Sequence, residues 1–192
     1  FWGWKLHALP SSRPASFQPL MDCSMAMFPQ ESDGCLGSTM RWALQVAQRL
    51  AIPSLADAPY YGKDSPCHRT THKLPYQTVV PKSLFETEIE SDPNIESKLA
   101  NYVFNYGVVG ISFDASDRAL QHYQSGVYSS LSCSKSEVNH AMAIVGYDEH
   151  YWIVKNSWGQ GWGENGFLKL KRGHNVCGAM EVVSVLQSAV LQ

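Results

Sequence analysis

The stretch VNHAMAIVGYDEHYWIVKNSWG, residues 138–159, constrains the fold more than any other part of the chain. Apolar residues dominate two runs, 140–148 and 151–157, and the polar YDEHY segment that joins them is typical of a tight turn. We therefore predict a β-hairpin. His140 stands at the entrance of its first strand and Asn156 near the end of its second, so antiparallel pairing brings both side chains to one end of the hairpin.

This pairing makes His140 and Asn156 the candidate catalytic residues. An imidazole is the natural base for a thiol nucleophile, and it needs a further group that fixes its tautomer and ring plane. A neutral amide suffices when the resting state is a thiolate–imidazolium pair, and Trp158 can support it by keeping water from the hydrogen bond. The alternative is structural, because a histidine beside an apolar strand is usually a packing residue and NSWGQGWG could be only a glycine-rich turn. The combination of His140 with the NSWGQGWG stretch favours a catalytic role over a structural one.

Composition narrows the classes of protein. Of 192 residues, 44% are hydrophobic and 17% charged, which indicates a globular chain. The formal net charge of −2 gives no reason to expect nucleic acid or an anionic membrane as a partner. No apolar run approaches the roughly 18 residues of a membrane span. The opening FWGWKLHALPSSRPASF lacks the continuous apolar core of a signal peptide, so we expect no signal peptide in the chain.

Periodicity predicts helices in the first half of the chain and strands in the second. Ser38 is the predicted cap of a helix that runs to about Leu50, and residues 53–92 are expected to be mostly irregular apart from a short QTVV strand. A second helix is predicted to begin at Asp92-Pro93 and to end at Gly107. The predicted strands are 108–113, 140–148, 151–157, 166–171 and 181–186.

Several dispersed motifs resemble those of one family. NHAMAIVGY and YWIVKNSWGQGWGENGFLKLKRGHNVCG resemble the histidine and asparagine motifs of the papain family of cysteine proteases, and SFQPLMDC, DGCLGS and APYYGKDSPC resemble its cysteine-bearing stretches. From Ser16 to about Leu186 the chain looks most like the cathepsin L-like branch. The resemblance implies an α+β, papain-like two-lobe fold. Residues 1–15 are unassigned, 16–91 form an incomplete helical first lobe, and 92–192 form an antiparallel, β-barrel-like second lobe that carries His140 and Asn156.

The resemblance also exposes a departure from the family. The family's nucleophile lies in a Cys-Gly-Ser-Cys-Trp signature about 130–150 residues before the histidine and asparagine. Residues 1–22 contain no cysteine. We therefore expect peptide-bond hydrolysis through an acyl-enzyme for the family, but no activity from these residues alone. The alternative is a non-catalytic relative that binds peptides or protein partners through a retained cleft.

Further site residues follow from the resemblance. It implies disulfides Cys23–Cys67 and Cys133–Cys177, with Cys35 left unpaired. The expected substrate-binding residues are Gly37, Ser38, Met40, Ser112, Val138, Asn139 and Val182. Gly37-Ser38 stands where the family has Gly-Gly, which puts peptide docking at that edge in doubt.

The remaining expectations concern ligands, partners and compartment. The resemblance implies peptide or protein substrates, cystatin-like inhibitors as partners, and a lysosomal or secreted setting. We expect no cofactor. CHRTTH, residues 67–72, could suggest a metal, but no second ligand cluster accompanies it and Cys67 has an expected disulfide partner, so we expect no metal site.

Overall fold

The computed structural model describes residues 16–50, 52–67, 79–88 and 94–191. Its helices are α1 (Gln18–Met27), α2 (Met40–Arg49), α3 (Ile95–Tyr106) and α4 (Arg118–Gln121). Its strands are β1 (Val79–Glu88), β2 (Val109–Phe113), β3 (Val127–Tyr128), β4 (His140–Tyr147), β5 (Tyr151–Lys155), β6 (Phe167–Lys171) and β7 (Val182–Leu191). The stretch 1–15, the CHRTTH positions from 68 onward, the start of QTVV and the Asp92-Pro93 helix start lie outside the described residues.

The described residues divide into two compact units. One unit contains 85–88 and 94–185, and the other contains 16–50, 52–67, 79–84 and 186–191. The lobes expected at 16–91 and 92–192 remain a prediction.

The strands form one sheet in the order β1-β7-β2-β4-β5-β6-β3. The pairs of β2 with β4 and β7, of β4 with β5, and of β5 with β6 are antiparallel, as expected. The exception is β3, which pairs with β6 in parallel. In the order given, β1 and β3 stand at the two edges, so the sheet is open.

The predicted hairpin of β4 and β5 is confirmed. The backbone N–H of Asp148 donates to the carbonyl of Tyr151 at 3.0 Å, and the Asp148 carboxylate accepts from the N–H of His150 at 2.7 Å, which closes the turn. The register shifts between Ile144 and Gly146, a β-bulge that alternation in the sequence does not reveal.

Helix α3 packs its apolar face against this sheet. Leu99 and Val103, four residues apart, are buried, and Gly107 ends the helix with φ of 87°, a conformation that favours glycine. The buried core of this unit also includes Ile111, Phe113, Leu120, Ile144, Trp152, Val154, Leu168, Leu170 and Met180.

In the other unit, α1 anchors a long loop through buried polar side chains. Gln18 donates to the carbonyl of Lys63 at 2.8 Å and accepts from the N–H of Tyr61 at 2.9 Å, and Asp22 accepts from the N–H of Ser65 at 3.0 Å. Because these donors belong to loop backbone, the helix supplies partners that the loop lacks within itself. Helix α1 was not among the elements predicted from apolar periodicity.

The predicted cap of α2 is wrong by one residue. Thr39, with φ of −97° and ψ of 158°, is the residue that precedes the helix, and no side chain caps it. The Ser38 hydroxyl instead donates to the carbonyl of Glu31 at 3.3 Å. Ser38 also forms a bridge with Ser32, so its backbone belongs to a turn before the helix and is too far back to serve the first helical N–H groups.

Candidate active site

Pairing between strands β2 and β4 holds the backbone of His140 in place. This histidine is the first residue of β4 and lies opposite Phe113, the last residue of β2. The N–H of the preceding Asn139 donates to the carbonyl of Phe113 at 3.0 Å. Strand pairing thus fixes the backbone that carries the imidazole, and the half-buried side chain lies at the first residue of a central strand.

Asn156 lies just beyond β5 and meets His140 through its side chain. The distance from its Oδ1 to Nε2 of His140 is 2.9 Å, and only 7% of the residue is exposed. Its own N–H donates to the carbonyl of Gly166 at 3.0 Å. The structure therefore brings together the two side chains that the sequence singled out.

A backbone donor fixes the direction of this hydrogen bond. The N–H of Ser157 donates to Oδ1 of Asn156 at 2.8 Å. An N–H can only donate, so the atom facing both groups must be the amide oxygen. An oxygen can only accept, and Nε2 of His140 must therefore carry the proton. In the neutral ring this leaves Nδ1 as the basic nitrogen.

Two tryptophans stand beside the pair. The ring of Trp158 lies 5.2 Å from the imidazole of His140, tilted by 33°, and Trp162 meets Trp158 edge-on at 5.2 Å. The indole Nε1 of Trp162 donates to the carbonyl of Leu120 at 3.0 Å, which ties it to the body of the unit. Trp158 is 39% exposed and so forms the solvent side of the imidazole contact. The contact of Trp162 with Trp158 was not predicted, although the second tryptophan of NSWGQGWG was a signal for it.

The glycine-rich turn that carries these rings needs its glycines for specific reasons. Gly163 has φ of 57°, and a Cβ there would lie 2.6 Å from the carbonyl oxygen of Phe167 and 3.0 Å from the ring of Tyr123. Only glycine permits both that backbone conformation and that approach.

The expected substrate-binding residues fall in both units. In the sheet unit, Val138 and Val182 are half-buried, and the Ser112 hydroxyl is occupied: it donates to the carbonyl of Gly178 at 2.8 Å and accepts from the N–H of Val182 at 3.0 Å. The Ser112 hydroxyl thus joins neighbouring segments of the protein.

Asn139, another expected substrate-binding residue, is exposed, but its amide is already engaged with residues 114–116. In the other unit, Gly37 and Ser38 are exposed and Met40 is half-buried at the start of α2. Gly37 has φ of 142°, and a Cβ there would meet nothing within 4 Å.

Four of the five cysteines are bonded in the two disulfides that the resemblance implied, Cys23–Cys67 and Cys133–Cys177. Cys35 is free and exposed. Local desolvation raises the pKa of its thiol, and so do hydrogen bonding of the thiol to the Asp64 carboxylate and repulsion by that carboxylate's charge. Reactive cysteines commonly have a lowered pKa, and the pKa of Cys35 is shifted in the opposite direction.

The described residues contain neither a candidate metal cluster nor a candidate membrane span. Within 16–50, 52–67, 79–88 and 94–191, no three His, Cys, Asp or Glu side chains group in a way that could hold a metal ion. Across those same ranges no helix is both long and apolar enough to cross a bilayer.

An imidazole that donates to a buried amide beside a tryptophan, at one end of a β-hairpin in an α+β fold, has the geometry with which a base and its orienting group can serve a thiol. Comparison with known proteins is more specific. The protein-family model described as papain family cysteine protease matches residues 5–186, and the chain belongs to this family.

Curated relatives of the chain include cathepsins. Pro-cathepsin H of Mus musculus is 37% identical over 168 residues, covering 84% of this chain and 47% of the relative. Procathepsin L of Rattus norvegicus is 32% identical over 179 residues, covering 88% and 50%. The chain thus spans about half the length of the curated relatives it matches.

Solved structures confirm the papain-like α+β fold. The cysteine protease CMS1MS2 of Carica candamarcensis, in complex with E-64, matches with a TM-score of 0.79 and 30% identity, covering 94% of this chain and 80% of that one. Digestive procathepsin L 3 of Tenebrio molitor larval midgut matches with a TM-score of 0.74 and 30% identity, covering 90% and 55%.

Proposed function

We propose that this chain carries the general base and the orienting amide of a papain-like cysteine endopeptidase. The observation that carries the proposal is the hydrogen bond from Nε2 of His140 to Asn156, whose direction the N–H of Ser157 fixes. That bond leaves Nδ1 free to take a thiol proton. The resulting thiolate attacks the peptide carbonyl, and the imidazolium returns the proton to the leaving amine. Water then hydrolyses the acyl-enzyme.

The nucleophile is the part that these residues do not supply. Residues 1–22 hold no cysteine, four cysteines are in disulfides, and the pKa of the Cys35 thiol is raised. We therefore propose that the 192 residues by themselves do not hydrolyse peptides, because a base and its orienting group cannot replace the attacking atom.

The substrates proposed are peptides or proteins bound as an extended chain. Val138 and Val182, both half-buried in the sheet unit, are apolar, which suits a Leu, Phe or Val side chain in the substrate, and Met40 is a separate apolar candidate in the other unit. Cystatin-like proteins are the proposed inhibitors. A lysosomal or secreted setting is proposed as well, and the two disulfides support it since they persist in oxidising compartments.

Hydrolysis of a fluorogenic dipeptide amide tests the proposal. The 192-residue chain should give no turnover above that of its His140→Ala variant. A longer form, expressed from coding sequence that contains Cys-Gly-Ser-Cys-Trp in frame, should hydrolyse the substrate and should lose that activity when either its signature cysteine or His140 is replaced.

Two results would contradict this proposal. Turnover by the 192-residue chain that His140→Ala abolishes would show that these residues already contain a nucleophile. Coding sequence without an in-frame cysteine would favour a non-catalytic peptide binder instead. Labelling with a thiol-reactive epoxide gives a second readout, with Cys35→Ser as the control for reaction at the exposed thiol.

A further inference from the structure

Asp114, the residue that follows β2, is a buried carboxylate that ties together two loops beside His140. Its Oδ1 accepts from the N–H of Ser116 at 2.9 Å and from Nδ2 of Asn139 at 3.1 Å, and its Oδ2 accepts from the N–H of Ser134 at 2.6 Å. Its own N–H donates to the carbonyl of Cys177 at 2.8 Å. Only 4% of the residue is exposed, so these bonds stand in for the water that it has lost.

The side-chain amide of Asn139 bonds to the same turn as Asp114. Its Oδ1 accepts from the N–H of Ala115 at 2.9 Å, while its Nδ2 donates to Asp114 and, at 2.7 Å, to the Ser116 hydroxyl. Since the N–H of Ala115 can only donate, the amide is held in one orientation, with its nitrogen facing the carboxylate. Hydrogen bonds from Ser116, followed by those from Ser134 and Asn139, hold the pKa of Asp114 below its usual value, so the carboxylate stays charged and these bonds are charge-assisted.

The hydrogen bond between Asp114 and Asn139 bears on His140 because Asn139 is its neighbour in the chain. Asn139 immediately precedes His140, and the N–H of Asn139 donates to Phe113, which immediately precedes Asp114. The backbone on either side of the Phe113–His140 pair is therefore joined by the Asp114–Asn139 bond as well as by the sheet. We propose that Asp114 is a positioning residue, which through Asn139 sets the imidazole of His140 for its bond to Asn156; its importance for catalysis rests on the proposed function above.

The same turn contains a matched control. Asp117 lies three residues further on and accepts from the N–H of Ala119, the hydroxyl of Tyr128 and the hydroxyl of Ser130. It is thus also a carboxylate that organises a loop through neutral donors, but none of these three hydrogen bonds involves Asn139 or His140. Changing either carboxylate should destabilise its loop. Only a change at Asp114 should also shift the His140 signal.

The experiment is long-range ¹H–¹⁵N NMR of the histidine rings in the 192-residue chain. Asp114→Ala should shift the His140 Nε2–H signal and speed its exchange with water roughly tenfold, since of the three hydrogen bonds lost the charge-assisted one from Asn139 is the link to His140. Asp114→Asn keeps one acceptor and should give a smaller change. Asp117→Ala should leave the signal where it is. An Asp114→Ala protein that is folded by circular dichroism and has an unshifted His140 signal would overturn the proposal.

Asn139→Ala is the second variant, because an exposed side chain tolerates truncation better than a buried carboxylate. It should change the His140 signal as Asp114→Ala does, and the double variant should change it no further, since both remove the same link. An unchanged signal in Asn139→Ala, or effects of the two changes that simply add, would also overturn the proposal.

These outcomes are separate from those of the proposed function. The NMR readout needs no nucleophile, so a shifted His140 signal with no proteolysis from a longer form would leave the positioning role intact and remove the endopeptidase assignment. In an active longer form, Asp114→Ala should lower kcat with little change in KM, because the Asp114 contacts described above are made to the protein segment that carries His140. Equal activity in Asp114→Ala and Asp117→Ala would contradict the catalytic consequence.

Discussion

At the scale of single residues, the Asn156 amide oxygen decides the state of the histidine. It accepts from the Ser157 N–H at 2.8 Å and faces Nε2 of His140 at 2.9 Å, while the buried Nδ2 finds no hydrogen-bond partner among the described residues. All the hydrogen bonding of this side chain is thus concentrated in its oxygen, so the identity of the side chain and its orientation matter together.

Replacing Asn156 tests how much this oxygen contributes. Asn156→Ala should lower the free energy of unfolding by about 1–3 kcal/mol, because the N–H of Ser157 loses its acceptor. The His140 ring should then populate both neutral tautomers, which ¹⁵N spectra distinguish. Asn105→Ala, at an exposed helical position, is the control and should change stability by no more than about 0.5 kcal/mol. A single retained tautomer in Asn156→Ala would contradict the tautomer argument.

Acid should destabilise the fold through the carboxylates of the 114–117 turn. Hydrogen bonds lower the folded-state pKa of Asp114, through Ser116 first, and of Asp117, through Ser130 first. A lowered folded-state pKa means that the unfolded chain takes up protons first, so the stabilisation is complete above about pH 5 and is lost as the pH falls through about 4 and below. Urea midpoints at pH 6 and pH 3 measure this.

The variant Asp117→Asn checks the source of that pH dependence. Its side chain cannot take up a proton, so the difference between its midpoints at pH 6 and pH 3 should be smaller than in the unmodified chain. Equal differences in the two proteins would assign the acid sensitivity to other groups.

Residues with a strong local pattern could be predicted, and residues that act through backbone geometry could not. His140, Asn156 and Trp158 lie in apolar and aromatic runs whose spacing points to one end of a hairpin, and the structure brings them together. Asp114 gave no signal, because its partners Ser134 and Asn139 are distant in sequence and unremarkable in type.

At the scale of elements, the turn from Asn156 to Phe167 depends on glycine conformations. Gly163→Ala should lower the free energy of unfolding by about 1–3 kcal/mol, because a Cβ at φ of 57° would stand 2.6 Å from a backbone oxygen. Gly161→Ala in the same turn is the control, since a Cβ there meets nothing within 4 Å. Chemical denaturation measures both. Equal losses in the two variants would contradict the steric argument.

Long, periodic elements were predictable and short ones were not. The strands from 140 to 171 and the C-terminal part of the 92–107 helix follow from apolar spacing, with ends that differ by one or two residues. The elements α4 and β3 are too short to show a period and were missed. Helix α1 was missed as well, because several of its buried residues are polar and bind loop backbone instead of packing in an apolar core.

At the scale of the whole molecule, each disulfide lies within one unit. Removing Cys133–Cys177 by the Cys133→Ala/Cys177→Ala pair should lower the free energy of unfolding by about 2–5 kcal/mol, since the bond closes a long loop. Its sequence separation is 44. Cys35→Ala is the control, because that thiol is free and exposed. Urea unfolding checks both, and an unchanged midpoint in the double variant would contradict the prediction.

The placement of the disulfides has a consequence for a nicked molecule. Cys23–Cys67 and Cys133–Cys177 follow one another along the chain without overlap. One peptide-bond cut anywhere between 67 and 133 therefore leaves two pieces that share no covalent bond, and a non-reducing gel would separate them. Such a cut would leave His140, Asn156 and the Cys133–Cys177 disulfide in one piece. The other piece would hold the Cys23–Cys67 disulfide and the free thiol of Cys35.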